Sequence, residues 1–296
     1  MKTSAVTMKL SARLMARLMY KPAGPVRPSA ETVINRTLKD TGFDLDAYRG
    51  WEREEIRLEN DGVRIPAVFY PVPGAKGTAV LAHGYGQNRC VLIPQAEIFR
   101  ELGWNVILFD QRHFGESRAK NGTFSVKEAG DVAALAGWAK QKCGQDFPVA
   151  ALGVSMGAMS VMNAISQTSL IDAAIEDCGP ARLSDIYETF FEVSFGFTNP
   201  YFPKAVQKES DKYGVDASRT CPIESVARSD TPLLVIHSKG DRTVPVKLAP
   251  EILAASKNPL SRMQLFGEQY DHAYSINDRA LYKETVSAFL RDVFGQ

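Results

Sequence analysis

Between Pro148 and Ser160 the chain reads Pro-Val-Ala-Ala-Leu-Gly-Val-Ser-Met-Gly-Ala-Met-Ser, and what satisfies such a stretch is a buried strand turning sharply into a helix. Val149, Ala150, Ala151, Leu152 and Val154 are small or β-compatible, an apolar run of strand length. Ala158, Met159, Val161, Met162, Ala164 and Ile165 continue as a largely apolar helix. Ser155 falls at the turn, inside Gly153-Val154-Ser155-Met156-Gly157. Glycines two residues to either side answer a steric need, because a serine presented on so sharp a bend leaves no room there for side chains. The pattern alone is weak, and its surroundings make it count.

Those surroundings alternate. Runs at 55–59 and 63–71 flank Asn60-Asp61-Gly62, an Asp-Gly turn that signals a β-hairpin. Strands are then expected at 78–82, 105–110, through the stretch ending at Val154, and at 172–177, 232–237 and 262–266. Helices are expected over 91–102, from a capping box at Ser125-Val-Lys-Glu128 to near Gly144, after Ser155, over 245–255 and over 277–293. Eight strands interleaved with helices in this way demand a mostly parallel sheet flanked by helices, an α/β fold. The alternation fails between Pro180 and Asp230, where Tyr187, Phe190, Phe191, Phe195, Phe197, Tyr201, Phe202 and Tyr213 crowd a segment too long to be structureless.

At 296 residues the chain fits one large domain, expected over 31–296, with an N-terminal helix and linker over 1–30. The first 21 residues hold Lys2, Lys9, Arg13, Arg17 and Lys21 and no acid, with Leu10, Leu14, Met15, Leu18 and Met19 on one helical face. The apolar runs between these cations are too short for a secretory signal, so the expected location is cytoplasmic. The helix is expected to pack on the protein's own body or on a twin subunit in a homodimer, with a membrane surface as the other occupant. A net charge of +1, from 35 Lys and Arg against 34 Asp and Glu, carries no nucleic-acid signature. Cys90, Cys143, Cys178 and Cys221 form no C-x-x-C, and no motif for a metal, nucleotide or other cofactor occurs, so none is expected.

The serine turn, followed downstream by Asp241 just after a strand and His272 in the loop after the last strand, resembles the α/β-hydrolase superfamily, whose chain order is Ser, acid, His. The likeness covers essentially residues 50–295 and is similar in loop order to oligopeptidase and serine aminopeptidase domains. It implies Ser155, His272 and Asp241 as a catalytic triad, with Asp271 as the rival acid. It implies an oxyanion hole from the backbone N–H groups of Met156 and Tyr85, and a helical cap over about 181–230. His83 would brace the oxyanion loop, His113 in Asp110-Gln-Arg-His-Phe-Gly-Glu-Ser117 would be scaffold, and His237-Ser238 departs from the family's frequent His-Gly pair. Tyr85, Phe190, Phe191, Phe195 and Tyr274 are the expected substrate wall. The implied activity is a serine hydrolase acting on a small-molecule ester through an acyl-enzyme. Peptidase, thioesterase or acyltransferase activity with the same triad is the alternative, and a noncatalytic receptor or scaffold is the reading from another class.

Overall fold

The computed structural model describes residues 4–21, 29–41, 43, 45–187, 189, 192 and 196–295. Eight strands among them form one sheet: β1 (Glu54–Asn60), β2 (Val63–Tyr70), β3 (Thr78–Ala82), β4 (Asn105–Phe109), β5 (Val149–Val154), β6 (Ala173–Asp177), β7 (Leu233–Ser238) and β8 (Arg262–Phe266). Their order across the sheet is β1-β2-β4-β3-β5-β6-β7-β8. Two pairs, β1 with β2 and β2 with β4, run antiparallel, and every other pairing is parallel. The hairpin turn is made by Asp61 and Gly62, both at positive φ (52° and 67°), as a tight two-residue connection requires.

Strands β3 to β7 are buried along their whole length, which is why their sequences are unbroken apolar runs rather than alternating ones. Their two faces feed separate cores. On one side pack α5 (Glu128–Cys143), α6 (Met156–Ala164), α9 (Leu248–Ala255) and the N-terminal α1 (Ala5–Tyr20), around Met159, Leu135 and Tyr20. On the other pack α2 (Ala30–Thr41), α4 (Ile93–Glu101) and the C-terminal α10 (Arg279–Phe294), around Phe99, Tyr282 and Phe289.

Most expected elements appear with ends shifted by a few residues, and three readings need correction. The capping box at Ser125 does not form: Lys127 is the N-cap of α5 and makes no side-chain cap bond. Glu128 instead turns back into the core, where its carboxylate accepts from the Thr123 amide at 2.8 Å and from the Thr123 hydroxyl. A four-residue pattern cannot tell a side chain that reaches forward from one that folds inward. The helix expected over 91–102 begins as a 3-10 turn at Arg89–Leu92, because Pro94 supplies no amide proton to an α-helical first turn and fits at its start. A short helix, α3 (Leu45–Arg49), has no counterpart among the expected elements.

The segment 181–230 does have structure of its own, including α7 (Phe202–Asp211) and α8 (Pro222–Ala227). α7 lies against α1, and Asn199 just ahead of it donates to the Met8 carbonyl at 2.8 Å. The inner face of α1, Ala12, Met15, Ala16, Met19 and Tyr20, is buried on the protein's own body, whereas Leu10 and Leu14, expected on the same face as Met15 and Met19, are exposed, because the helix docks through its Ala12–Ala16–Tyr20 side.

Candidate active site

Ser155 closes β5 and caps α6 with φ 56° and ψ −117°, a left-handed conformation that a non-glycine residue adopts at a cost of about 1–3 kcal/mol. The surroundings hold it there. Its amide donates to the Asp177 carbonyl on β6 at 2.8 Å, and the flanking glycines permit the bend. A Cβ on Gly153 would lie 2.1 Å from the Gly157 carbonyl oxygen, and one on Gly157 would lie 2.0 Å from that of Ala82. Any larger residue forces strand and helix apart, so the hydroxyl could not stand at the edge of the sheet.

Two loops from the same edge complete the arrangement. His272 Nε2 lies 2.9 Å from Ser155 Oγ, and its Nδ1 lies 2.7 Å from Asp241 Oδ2. Asp241 is fully buried, which alone would raise its pKa. Hydrogen bonds from His237 and His272, and the Val244 amide, instead hold the carboxyl well below the usual carboxylate range. Its Oδ1 accepts from the Thr243 and Val244 amides, each at 2.8 Å. An ionised carboxylate can only accept, so Nδ1 carries the imidazole proton and Nε2 presents a lone pair to the serine hydroxyl.

The rival acid is engaged elsewhere. Asp271 binds the Arg242 guanidinium, and its Oδ1 accepts from the His272 amide at 2.8 Å rather than from the ring. His237, by contrast, is part of the acid's surroundings. Its Nε2 faces two acceptors, the Val244 carbonyl at 3.0 Å and Asp241 Oδ2 at 3.3 Å, and therefore carries a proton. Burial opposes charge on this ring, but the Asp241 bond and the charge of Glu176 raise its pKa. Below the acid lie two more buried carboxyls at the end of β6. Burial raises Glu176 to about 8 and Asp177 to about 6, the latter despite hydrogen bonds from Ser275 and Tyr282.

The loop after β3 is braced by His83. Its Nε2 accepts from the Gln111 amide at 3.0 Å, so its Nδ1–H donates to the Gly84 carbonyl at 2.7 Å, and burial keeps the ring neutral. Gln111 also binds the His83 carbonyl and accepts from Ser160 on α6 at 2.7 Å, linking this loop to the serine helix. Met156 is the first residue of α6, where an N–H has no partner within the helix and the helix dipole is positive. His113 sits apart, with Nδ1 3.0 Å from the Ala119 carbonyl.

A cavity of about 370 Å3 opens over Ser155 and His272. Of the residues expected at its wall, Tyr85 and Tyr274 line it, and Met156 of the expected oxyanion hole lies beside them. Phe190, Phe191 and Phe195 lie outside the described residues. The sequence reading missed Phe124, which stacks on the Tyr85 ring (centroids 5.6 Å apart), and Ile186, which comes from the 181–230 segment. It also missed Arg36 and Thr41 of α2, the former donating to Gln87 at 2.6 Å across the cavity mouth. No local signal marks α2 as a pocket wall, since that role depends on a helix far upstream of Ser155 folding over the sheet edge.

Cys178, Asp241 and His272 bring three ligating atoms within 4.8 Å of one another. Burial pushes the Cys178 thiol well above its usual range, with Asp177 and Asp241 adding to the shift. Asp241 and His272 already engage each other. The trio therefore fits a hydrogen-bonded acid and base better than a metal centre.

The sheet order and the strand-turn-helix that presents Ser155 define the class of the molecule, an α/β-hydrolase fold. Known proteins agree. A family model described as serine aminopeptidase, S33, matches residues 73–215. The protein YqkD of Bacillus subtilis (strain 168) is 25% identical over 272 residues, 88% of this chain and 86% of its own. An esterase of Pyrococcus furiosus superposes with a TM-score of 0.69 at 21% identity, over 86% of this chain and 97% of that one. A puromycin-hydrolyzing peptidase of Mycobacterium tuberculosis superposes with a TM-score of 0.66 at 21% identity, over 83% of this chain and 40% of that one. These likenesses show the α/β-hydrolase fold, with a similarity to the serine aminopeptidase family over residues 73–215. Among the described residues, no helix is long and apolar enough to cross a membrane.

Proposed function

We propose that this protein is a serine hydrolase that cleaves carboxylic esters through an acyl-enzyme on Ser155. The observation that carries the proposal is the unbroken line from Ser155 Oγ through His272 to a buried, ionised Asp241, at 2.9 and 2.7 Å, with a cavity opening directly on the hydroxyl. In this reading Ser155 Oγ attacks the ester carbonyl as His272 Nε2 takes its proton, and the Asp241 carboxylate stabilises the imidazolium that results. The carbonyl oxygen, now negative, is held by the Met156 and Tyr85 amides, the first at the positive end of α6. Collapse expels the alcohol, which receives the proton from His272. Water then attacks the acyl-enzyme by the same steps and restores the free serine.

The cavity wall favours an ester over an aminoacyl substrate. An enzyme that removes N-terminal residues must bind a free ammonium group, usually with a carboxylate. Among the described lining residues no Asp or Glu occurs, and the charged side chain at the mouth is the cation Arg36. The remaining lining is mainly apolar, which suits an acyl chain.

The test is one purified sample offered p-nitrophenyl acetate, butyrate and octanoate beside a thioester, an aminoacyl anilide and a short peptide. A fluorophosphonate probe should label wild type and leave Ser155→Ala unlabelled. Ester turnover with negligible anilide cleavage is expected; faster cleavage of the anilide would make the protein a peptidase, and equal labelling of both forms would remove Ser155 from the mechanism.

A further inference from the structure

Burial on the protein's own body accounts for only one face of α1. On its opposite face Val6, Leu10 and Leu14, spaced one turn apart, are 76%, 66% and 56% exposed. Three large aliphatic side chains in a row at this exposure are unusual on a soluble surface, where such residues are normally scattered singly. The row is bordered by cations. Lys9, Arg13 and Arg17 follow one another at four-residue intervals along α1, and Lys204 and Lys208 of α7 with Lys212 at its C-cap do the same on the facing side. The two helices enclose a groove of about 790 Å3 whose lining, among the described residues, contains these six cations, Leu10 and Leu14, and a single carboxylate, Glu209.

The arrangement opposes folding stability. Like charges four apart on a helix repel each other, and among the described residues only Lys212 of the six is in an ion pair, with Glu209, while Lys9 lies over the Tyr201 ring at 5.2 Å. Asp211, near the row on α7, is taken up by Gln207 at 2.8 Å. The whole chain is almost neutral, at +1, so this is a local concentration of positive charge, not a reflection of composition. Cations with flexible stems alongside a ridge of aliphatic side chains are what an anionic bilayer surface can use: the leucines enter the acyl boundary while the ammonium and guanidinium groups stay at the phosphates. A nucleic acid would meet the charges but gain nothing from the exposed Leu10 and Leu14, whose apolar surface it cannot bury in hydrocarbon.

We infer that the α1–α7 face docks on the surface of membranes rich in anionic phospholipid, with Val6, Leu10 and Leu14 inserted and the two basic rows on the headgroups. The docked state is peripheral. Nothing in it depends on the reaction at Ser155, so the two readings stand or fall separately.

Flotation of the full-length protein with vesicles tests this. Vesicles of phosphatidylcholine containing about 30% phosphatidylserine should carry the protein, and pure phosphatidylcholine should bind it at least about tenfold more weakly. Raising NaCl to about 0.5 M should also reduce binding severely, as screening predicts. Lys204→Glu/Lys208→Glu, on α7, and Leu10→Ser/Leu14→Ser, on α1, should each weaken binding at least about tenfold while leaving the thermal melt and turnover of a small soluble ester unchanged, since all four side chains are exposed and none lines the cavity over Ser155. Failure of wild type to float with the anionic vesicles overturns the inference, as does unchanged flotation of either double variant. So does binding of wild type to a short DNA duplex or an acidic protein in place of vesicles, which would assign the charge to another partner.

Discussion

The floor of the cavity and its wall are built by different physics. On the floor, the serine and the groups that support it are determined several times over: Ser155 by its strained turn, the Asp177 carbonyl and two glycines, Asp241 by two amides and two imidazoles, His83 by hydrogen bonds on both ring nitrogens. The wall is made of side chains from distant segments, Arg36 of α2 bonded to Gln87, Thr41 of the same helix, Tyr85 stacked on Phe124 and bonded to the Leu18 carbonyl, Ile186 and Tyr274, with apolar contact prominent among them. Backbone close approaches and buried hydrogen bonds tolerate almost no change. Apolar contacts tolerate a good deal. The difference suggests that reactivity resides in the floor and selectivity in the wall, and it makes the two separable by mutation.

The largest effect belongs to the floor. Ser155→Ala should lower kcat for p-nitrophenyl butyrate by about 10^6-fold with an unchanged melting temperature, and a loss below a hundredfold would mean that another group supplies the nucleophile. Next comes the acid. Asp241→Asn should reduce kcat/KM by about 10^4-fold, since an amide cannot hold the imidazole in the required tautomer, whereas Asp271→Asn should cost less than about tenfold; steady-state kinetics on both variants decides, and a reversed ranking would transfer the role to Asp271.

The wall should respond in a smaller and different way. Ile186→Ala and Arg36→Ala should shift the octanoyl-to-acetyl ratio of kcat/KM by about five- to tenfold, with turnover of the acetyl ester nearly constant. Ile186 is buried, so its truncation will also lower stability by about 2–5 kcal/mol, and a melt must show the variant folded at the assay temperature. If acetyl turnover fell as steeply as octanoyl turnover, the division between floor and wall would not hold.

The last effect is on stability, and no change in turnover is asked of it. Glu176 and Asp177 are raised by burial to about 8 and about 6 in the native state, against about 4.3 and 3.9 in an unfolded chain. Between those limits the native protein holds more protons than the unfolded one, so stability is greatest below about pH 4 from these groups and declines as pH rises toward 8. His237, also raised, contributes with the same sign above its unfolded value. Asp241, held low, acts only in the acid range, below about pH 4, with the opposite sign. Glu176→Gln keeps the shape and removes one titration. Urea midpoints measured from pH 5 to 8 should therefore fall less steeply than in wild type, and identical slopes would show that Glu176 does not titrate in this window.

Much of the floor was legible in the linear chain. Gly153-Val154-Ser155-Met156-Gly157 could be interpreted because the close approach of Gly157 to Ala82 excludes any Cβ, a constraint that leaves its mark on residue type. The parallel sheet was legible because strands covered on both faces must be apolar throughout. The Asp-Gly hairpin was legible because both residues need positive φ. The wall was not. Aromatic crowding between Pro180 and Asp230 suggested a cap, yet among the described residues that segment reaches the cavity through Ile186 while α7 turns away to meet α1. The Ser125 capping pattern failed for a related reason, since Glu128 satisfied its oxygens inside the core with Thr123.

By itself, the sequence determined the local backbone and the chemical inventory: a serine on a strained strand-to-helix turn, an acid and a histidine in the loops that follow two later strands, and a basic amphipathic helix at the N-terminus. Only tertiary structure decided which groups meet. Ser155 and His272 are 117 residues apart and come within 2.9 Å because β5 and β8 end at the same edge of one sheet. The same packing brought α2 over the cavity and laid the basic row of α7 beside that of α1. Residue type records the demands that a residue's own backbone makes, such as a missing Cβ or a positive φ. Which distant surfaces come together is settled by the burial of whole elements against one another, and that free energy is spread over so many side chains that no short pattern carries it.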